Sequence, residues 1–143
     1  LIQGICHRIF ALCKQRKQAS VSLDLVEEVV NEKTTNNEHF ETLWGYLYSE
    51  RRRCLLFLVD ELGENDVAVS FNLLRTAIEE KGLQYSRQDL EADLKYLLDS
   101  DILGVDRRDR QEFYRLEVPM FAVWLRKTKD FNQTLAAAKD EMP

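Results

Sequence analysis

Three arginines crowd one short polar stretch, Asp106-Arg107-Arg108-Asp109-Arg110-Gln111. A guanidinium holds phosphate or carboxylate through a rigid fork of donors, so such a stretch can do binding chemistry. Asp106 and Asp109 offset part of the charge. The stretch therefore suits a phosphate contact, a contact with an acidic protein surface, or a solvated tip. A second basic run, Arg51-Arg52-Arg53, lies at a helix start. Successive helical residues spread around the circumference, so these three cannot form one flat face, and pairing with nearby carboxylates is their expected role.

Cys6, His7 and Cys13 raise a zinc site, but adjacent helical residues point about 100° apart and cannot converge on one ion. A fourth ligand is also missing, so no metal is expected. His39 is the only other histidine, with no serine or cysteine at a telling spacing, and a hydrolytic triad has no support. Neither G-x-x-x-x-G-K-[ST] nor G-x-G-x-x-G occurs, and glycines at 4, 45, 63, 82 and 104 cannot assemble a phosphate cradle. No catalysis, nucleotide hydrolysis or cofactor is expected of this stretch of chain.

The elements that must position the arginines run from Ser49 to Val118. Cys54-Leu55-Leu56-Phe57-Leu58-Val59 makes the helix from Glu50 to Leu62 apolar on nearly all sides, as a central core helix is. A second helix is expected from Phe71 to about Lys81, stopped by Gly82, and a third from Arg87 to about Ser100. Two β-like segments follow, Ile102 to Val105 and Glu112 to Val118, with the arginine-rich stretch as their loop. Val67-Ala68-Val69 reads as a short edge strand. Three helices and a hairpin in this order predict a mainly α fold, a winged helix-turn-helix with a small β-hairpin wing. Ser49, Ser70 and Ser86 stand where N-caps belong.

Upstream, Ile2, Ile5, Cys6, Ile9, Leu12 and Cys13 recur at helical spacing, and Ser22 caps a helix from Leu23 to about Glu32. Lys33-Thr34-Thr35-Asn36-Asn37 reads as a linker before a helix from Glu38 to about Tyr48, which carries Phe40, Leu43, Trp44 and Leu47. Pro119 suits the first turn of a further helix with Phe121, Trp124 and Leu125 inward. Residues 130–143, rich in alanine and lysine, read as a weakly docked, fraying helix. The expected division is 1–35, 36–130 and 131–143.

A winged helix raises DNA binding, in which the third helix enters the major groove and the wing meets phosphates. Between Arg87 and Asp99, however, Arg87 and Lys95 stand against Asp89, Glu91, Asp93 and Asp99, a net of −2. Carboxylates aimed at phosphate walls are repelled. Contact residues, for nucleic acid or a protein, are expected among Arg107, Arg108, Arg110, Arg87 and Lys95. The whole chain of 143 residues has a net charge of −5, which gives no general attraction to nucleic acid or anionic membrane. No apolar run reaches the roughly 18 residues of a membrane span. Cys6, Cys13 and Cys54, odd in number and at apolar helical positions, read as buried free thiols in a cytoplasmic protein. The chain opens inside a helix without methionine and reads as a fragment of a longer protein.

Two segments carry a family resemblance. Leu1-Ile2-Gln3-Gly4-Ile5-Cys6-His7-Arg8-Ile9-Phe10 resembles the helix after the Gly-x-Pro motif in the lid of STAND-type AAA+ ATPases, signal-transducing relatives of origin-recognition ATPases. Phe113-Tyr114-Arg115-Leu116-Glu117-Val118-Pro119-Met120-Phe121-Ala122-Val123-Trp124-Leu125-Arg126 resembles the last strand and following helix of the winged helix those ATPases carry after the lid. The resemblance implies the helical end of a lid, then a winged helix, with the phosphate loop, Walker B acids and sensors lying upstream. It implies a non-catalytic regulatory and interaction module that couples nucleotide state to contacts with a protein partner or with the ATPase core of the same chain. The alternative is a DNA-binding winged helix that leads with the wing. A third expectation is self-association along the apolar strip from Phe40 to Leu47.

Overall fold

The structure is a computed structural model that describes residues 2–64 and 68–141. An α-hairpin comes first, α1 (Ile2–Gln15) and α2 (Leu23–Thr35), closed by a small core of Leu12, Leu25 and Val29. Arg16 bridges the two helices with a bidentate pair to Glu28 at 2.8 and 2.9 Å, and Arg8 reaches Glu32 at 3.5 Å. Helix α3 (Glu38–Gly45) leads into the central helix α4 (Glu50–Gly63), which is followed by β1 (Val69–Ser70), α5 (Phe71–Glu80) and α6 (Arg87–Asp99). The wing is β2 (Leu103–Arg108) and β3 (Gln111–Leu116), and α7 (Pro119–Thr128) and α8 (Phe131–Glu141) end the chain. The sheet is antiparallel in the order β1-β3-β2, with Val69 opposite Tyr114 and Leu103 opposite Leu116. This is the expected winged helix-turn-helix.

Local chemistry accounts for the element boundaries. The hydroxyls of Ser22, Ser49, Ser70 and Ser86 each accept from the backbone N–H three residues on, the N-cap role expected of them. Gly82, at φ 75°, ends α5 in the left-handed turn that glycine adopts without cost. The six residues Cys54 to Val59 are all buried, so α4 is the axle of the domain. Around it lie Leu74 and Ile78 of α5, Leu90, Leu94 and Leu97 of α6, and an aromatic stack of Phe40, Phe121 and Trp124.

Five expectations change. The wing loop is not six residues but two: the ladder runs on to Arg108 opposite Gln111, leaving Asp109 and Arg110 at φ 51° and 68°. Two successive positive φ values mark the tight turn whose twist matches a hairpin. Polar composition signalled a loop because a ribbon that projects from the core has water on both faces. Lys33 to Thr35 form the last turn of α2, with Thr34 buried, and only Asn36 and Asn37 separate it from α3, where the Asn37 side chain caps. Residues 131–141 are no fraying tail: Phe131 packs on Phe57 with ring centroids 5.0 Å apart, and Thr134 and Ala138 are buried against the core. The strip Phe40, Leu43, Trp44 and Leu47 faces inward, Phe40 and Leu47 wholly so, which leaves no such strip for self-association. Of the thiols only Cys54 is buried, while Cys6 is exposed and Cys13 half-buried. The expected edge strand begins at Val69, and Val67 lies outside the described residues. Among the described residues no helix is long and apolar enough to cross a membrane.

Candidate functional site

The hairpin alternation splits the arginine cluster. Arg107 lies on the face of Glu112, its cross-strand partner, and pairs with it at 3.3 Å. Arg108 lies on the opposite face with Asp106 and Arg115, beside a cleft of about 610 Å³ that runs to the end of α4 and the start of α7. Arg110 sits in the turn and opens onto a second cleft of about 550 Å³, walled by Ser70 to Asn72, Arg87, Glu91, Glu112 and Tyr114. The structure thus brings Arg110 and Arg87 to one cleft between wing and α6, and leaves Arg107, Arg108 and Lys95 apart from it.

Four of the six cations on this side, Arg87, Lys95, Arg107 and Arg115, have an anion of their own. Arg87 donates to Glu91 at 3.0 Å and lies over the Phe71 ring, and Lys95 pairs with Asp99 at 2.5 Å, both one helical turn on. Arg115 bonds Asp106 at 3.2 Å and Glu117 at 2.9 Å across the base of the wing. Arg107, Arg108, Arg110 and Arg115 are matched in number by Asp106, Asp109, Glu112 and Glu117, so the ribbon is neutral. Among the described residues, Arg108 and Arg110 carry no ion pair. Burial, then the charges of Glu112 and Glu91, raise the Tyr114 phenol above its ordinary pKa.

On α6 the expected net of −2 needs one correction. Asp93 does not face solvent; it is 2% exposed and points toward α4. The exposed face holds Arg87 and Lys95 against Asp89, Glu91 and Asp99, a net of −1 with both cations already engaged.

Asp93 is the functional-looking group that sequence reasoning missed, and its role is structural. Its carboxylate accepts from Arg52 Nε at 2.9 Å, stands 3.3 Å from Arg51 Nη2, and accepts the Tyr85 hydroxyl. Burial and that carboxylate together push the Tyr85 phenol well above its ordinary range. Arg51, Arg52 and Arg53 lie over the rings of Tyr85, Tyr96 and Trp44 at 4.8, 3.8 and 4.9 Å. Arg53 also pairs with Glu50 at 2.6 Å. The basic run is therefore used up inside the fold, clamping α6 and the α5–α6 turn to the start of α4. The signal was present: Asp93 stands in register with Leu90, Leu94 and Leu97, on the buried stripe. Among the described residues no cluster of three or more His, Cys, Asp or Glu could hold a metal ion.

No protein-family model and no curated protein sequence matches the chain significantly. A solved structure that does match is that of the ORC2 protein of Aeropyrum pernix, determined as ADPNP and ADP complexes, with a TM-score of 0.53 and 17% identity. The alignment covers 96% of this chain and 34% of that protein, so the chain spans about a third of its neighbour's length. At that identity the likeness is one of fold, and what the two chains share is the helical, winged-helix architecture described above.

Proposed function

We propose that this chain is a non-catalytic regulatory and interaction module from the C-terminal part of an AAA+ ATPase of the STAND type, working through protein contacts. The observation that carries this reading is the electrostatics of α6. The helix that would enter a groove offers a net of −1 on its exposed face, and each of its cations is held by a carboxylate one turn away. To touch phosphate, Arg87 and Lys95 would have to leave Glu91 and Asp99 and push those carboxylates toward the backbone of the nucleic acid. The fold likeness to the ORC2 protein of Aeropyrum pernix supports the AAA+ part of the reading, and the segments Leu1 to Phe10 and Phe113 to Arg126 support the STAND part. In this reading α1 and α2 end the lid, and the winged helix transmits the nucleotide state to a partner or to the ATPase core of the same chain.

A second reading has one observation in its favour: Arg108 and Arg110 at the wing carry no ion pair among the described residues. They could lead a phosphate contact that leaves α6 outside the groove. Titration of a random 20-base-pair duplex separates the two. The protein-facing reading expects no binding at moderate salt. The wing-led reading expects binding that falls with salt and vanishes when Arg107, Arg108 and Arg110 are all replaced by alanine.

A further inference from the structure

Tyr48 is placed where the fold gains nothing from a tyrosine. It lies between α3 and α4 at φ 58°, a left-handed conformation that costs a non-glycine residue about 1 kcal/mol. The residue is 71% exposed, while Leu47 beside it is fully buried and does the packing. Asparagine or glycine would hold this turn at less cost. A strained, exposed, bulky residue points toward a role outside the fold.

Tyr46, 56% exposed, meets Tyr48 edge to face with centroids 5.9 Å apart. The backbone beneath them is tied down on three sides. The Tyr46 carbonyl accepts the Tyr96 hydroxyl at 2.6 Å, and the Leu47 carbonyl accepts from Arg52 at 3.0 Å. Glu141, at the end of α8, accepts from the Ser49 hydroxyl and the Glu50 N–H, both at 2.9 Å. The two rings are thus preorganised, which lowers the entropy lost when a partner binds.

The same corner shows which chemistry it favours. Each of Arg51, Arg52 and Arg53 already lies over an aromatic ring. Tyr46 and Tyr48 are the exposed rings here, and among the described residues no cation lies over either. Glu141 accepts from the cap hydroxyl and the first N–H of α4, where the helix dipole favours an anion, and among the described residues it holds no cation. Open aromatic faces on the turn that a cation-free carboxylate fastens complement a guanidinium.

We propose that Tyr46, Tyr48 and Glu141 form a docking site for an arginine-bearing segment of a partner protein. The guanidinium stacks on the tyrosine pair and Glu141 supplies the counter-charge. The proposal deepens the protein-facing reading and rests on it for the partner's class. Duplex binding tests that reading, whereas the peptide titration below tests the site itself.

The probe is the blocked peptide Gly-Arg-Gly-Gly-Arg-Gly, with a twin in which lysine replaces arginine, titrated into the whole chain at 150 mM salt and followed by amide chemical shifts. The expected result is saturable shifts confined to residues 45–50, Tyr96 and the end of α8, with the arginine peptide binding at least fivefold tighter than its twin. Tyr48→Gly should weaken binding at least fivefold while raising the thermal midpoint, because it relieves the positive φ. Tyr46→Ala should weaken binding similarly. Absent or scattered shifts, equal binding of the two peptides, unchanged binding by Tyr48→Gly, or a lowered midpoint would overturn the proposal. So would the same shifts produced by an oligonucleotide, or by raising the protein concentration alone, since each names a different occupant.

Discussion

Replacing Asp93 by alanine removes one carboxylate that three donors share. Arg52 Nε loses a 2.9 Å bond, Arg51 loses its 3.3 Å partner, and the half-buried Tyr85 hydroxyl loses its acceptor. Breaking a buried ion pair from one side costs about 3–5 kcal/mol, because the remaining charge stays desolvated. Here each guanidinium keeps a second acceptor, Arg52 the Leu47 carbonyl at 3.0 Å and Arg51 the Asp89 carboxylate at 3.5 Å, and both stay on their rings. The expected loss is therefore about 3 kcal/mol, near the lower end of that range, or about 10 °C in the thermal midpoint for a domain of this size. Urea unfolding followed by circular dichroism measures it, with an unchanged slope showing that the unfolded state is unaltered. The exposed neighbours Asp89 and Asp99 are the controls, and their alanine variants should each shift stability by less than about 0.5 kcal/mol. A cycle with Arg52→Ala should show coupling of about 1–2 kcal/mol. A loss under about 1 kcal/mol for Asp93→Ala, or equal losses for all three aspartates, would refute the view that Asp93 is the anchor of α6.

Three further outcomes follow from particular contacts. Reversing Asp89, Glu91 and Asp99 to lysine changes each charge by two and takes the exposed face of α6 from −1 to +5. The variant should gain duplex binding that drops roughly 40- to 500-fold between 50 and 200 mM salt, as ~3–5 phosphate contacts would give, and a gel shift over that range reads it. Arg110→Gly, in the turn position at φ 68°, should stabilise the hairpin by about 1 kcal/mol in urea unfolding. If the wing leads a DNA contact, the same variant must also weaken it. Burial, reinforced by the charges of Glu50 and Glu141, pushes the Cys54 thiol up to about 12. Because the folded pKa is raised, this group's contribution to stability is complete below the unfolded value near 9 and is lost as pH climbs toward about 12. Urea midpoints should fall between pH 8.5 and 10.5, less steeply in Cys54→Ala, and alkylation at pH 8 should label Cys6 long before Cys54.

The sequence carried the fold wherever one signal sufficed. The unbroken apolar run of α4, the serines before α2, α4, α5 and α6, and Pro119 at the start of α7 each have a single local reading, and the structure follows them. It was less legible where composition and geometry compete. Residues 106 to 111 are polar because the wing projects into water, not because they leave the ladder. Helix α8 buries threonine and alanine, whose small side chains give a faint periodic signal although they let the helix sit close on α4. The site was half legible. The sign of α6 could be counted, but Asp93 could be told from its neighbours only by its place on the leucine stripe. The use of Arg51 to Arg53 depended on Tyr85, Tyr96 and Trp44, which chain order alone does not bring near.

The most direct test of a protein-facing role is fluorescence anisotropy of a labelled 20-base-pair random duplex titrated with the wild-type chain at 50 and 150 mM salt. A face with a net of −1 on α6 and a neutral wing should give no saturable rise below about 10 μM at either salt, non-specific binding of that strength being typical only of cationic surfaces. Submicromolar binding at 50 mM that weakens steeply at 150 mM would contradict the account and favour the wing-led reading, in which Arg108 and Arg110 meet phosphate.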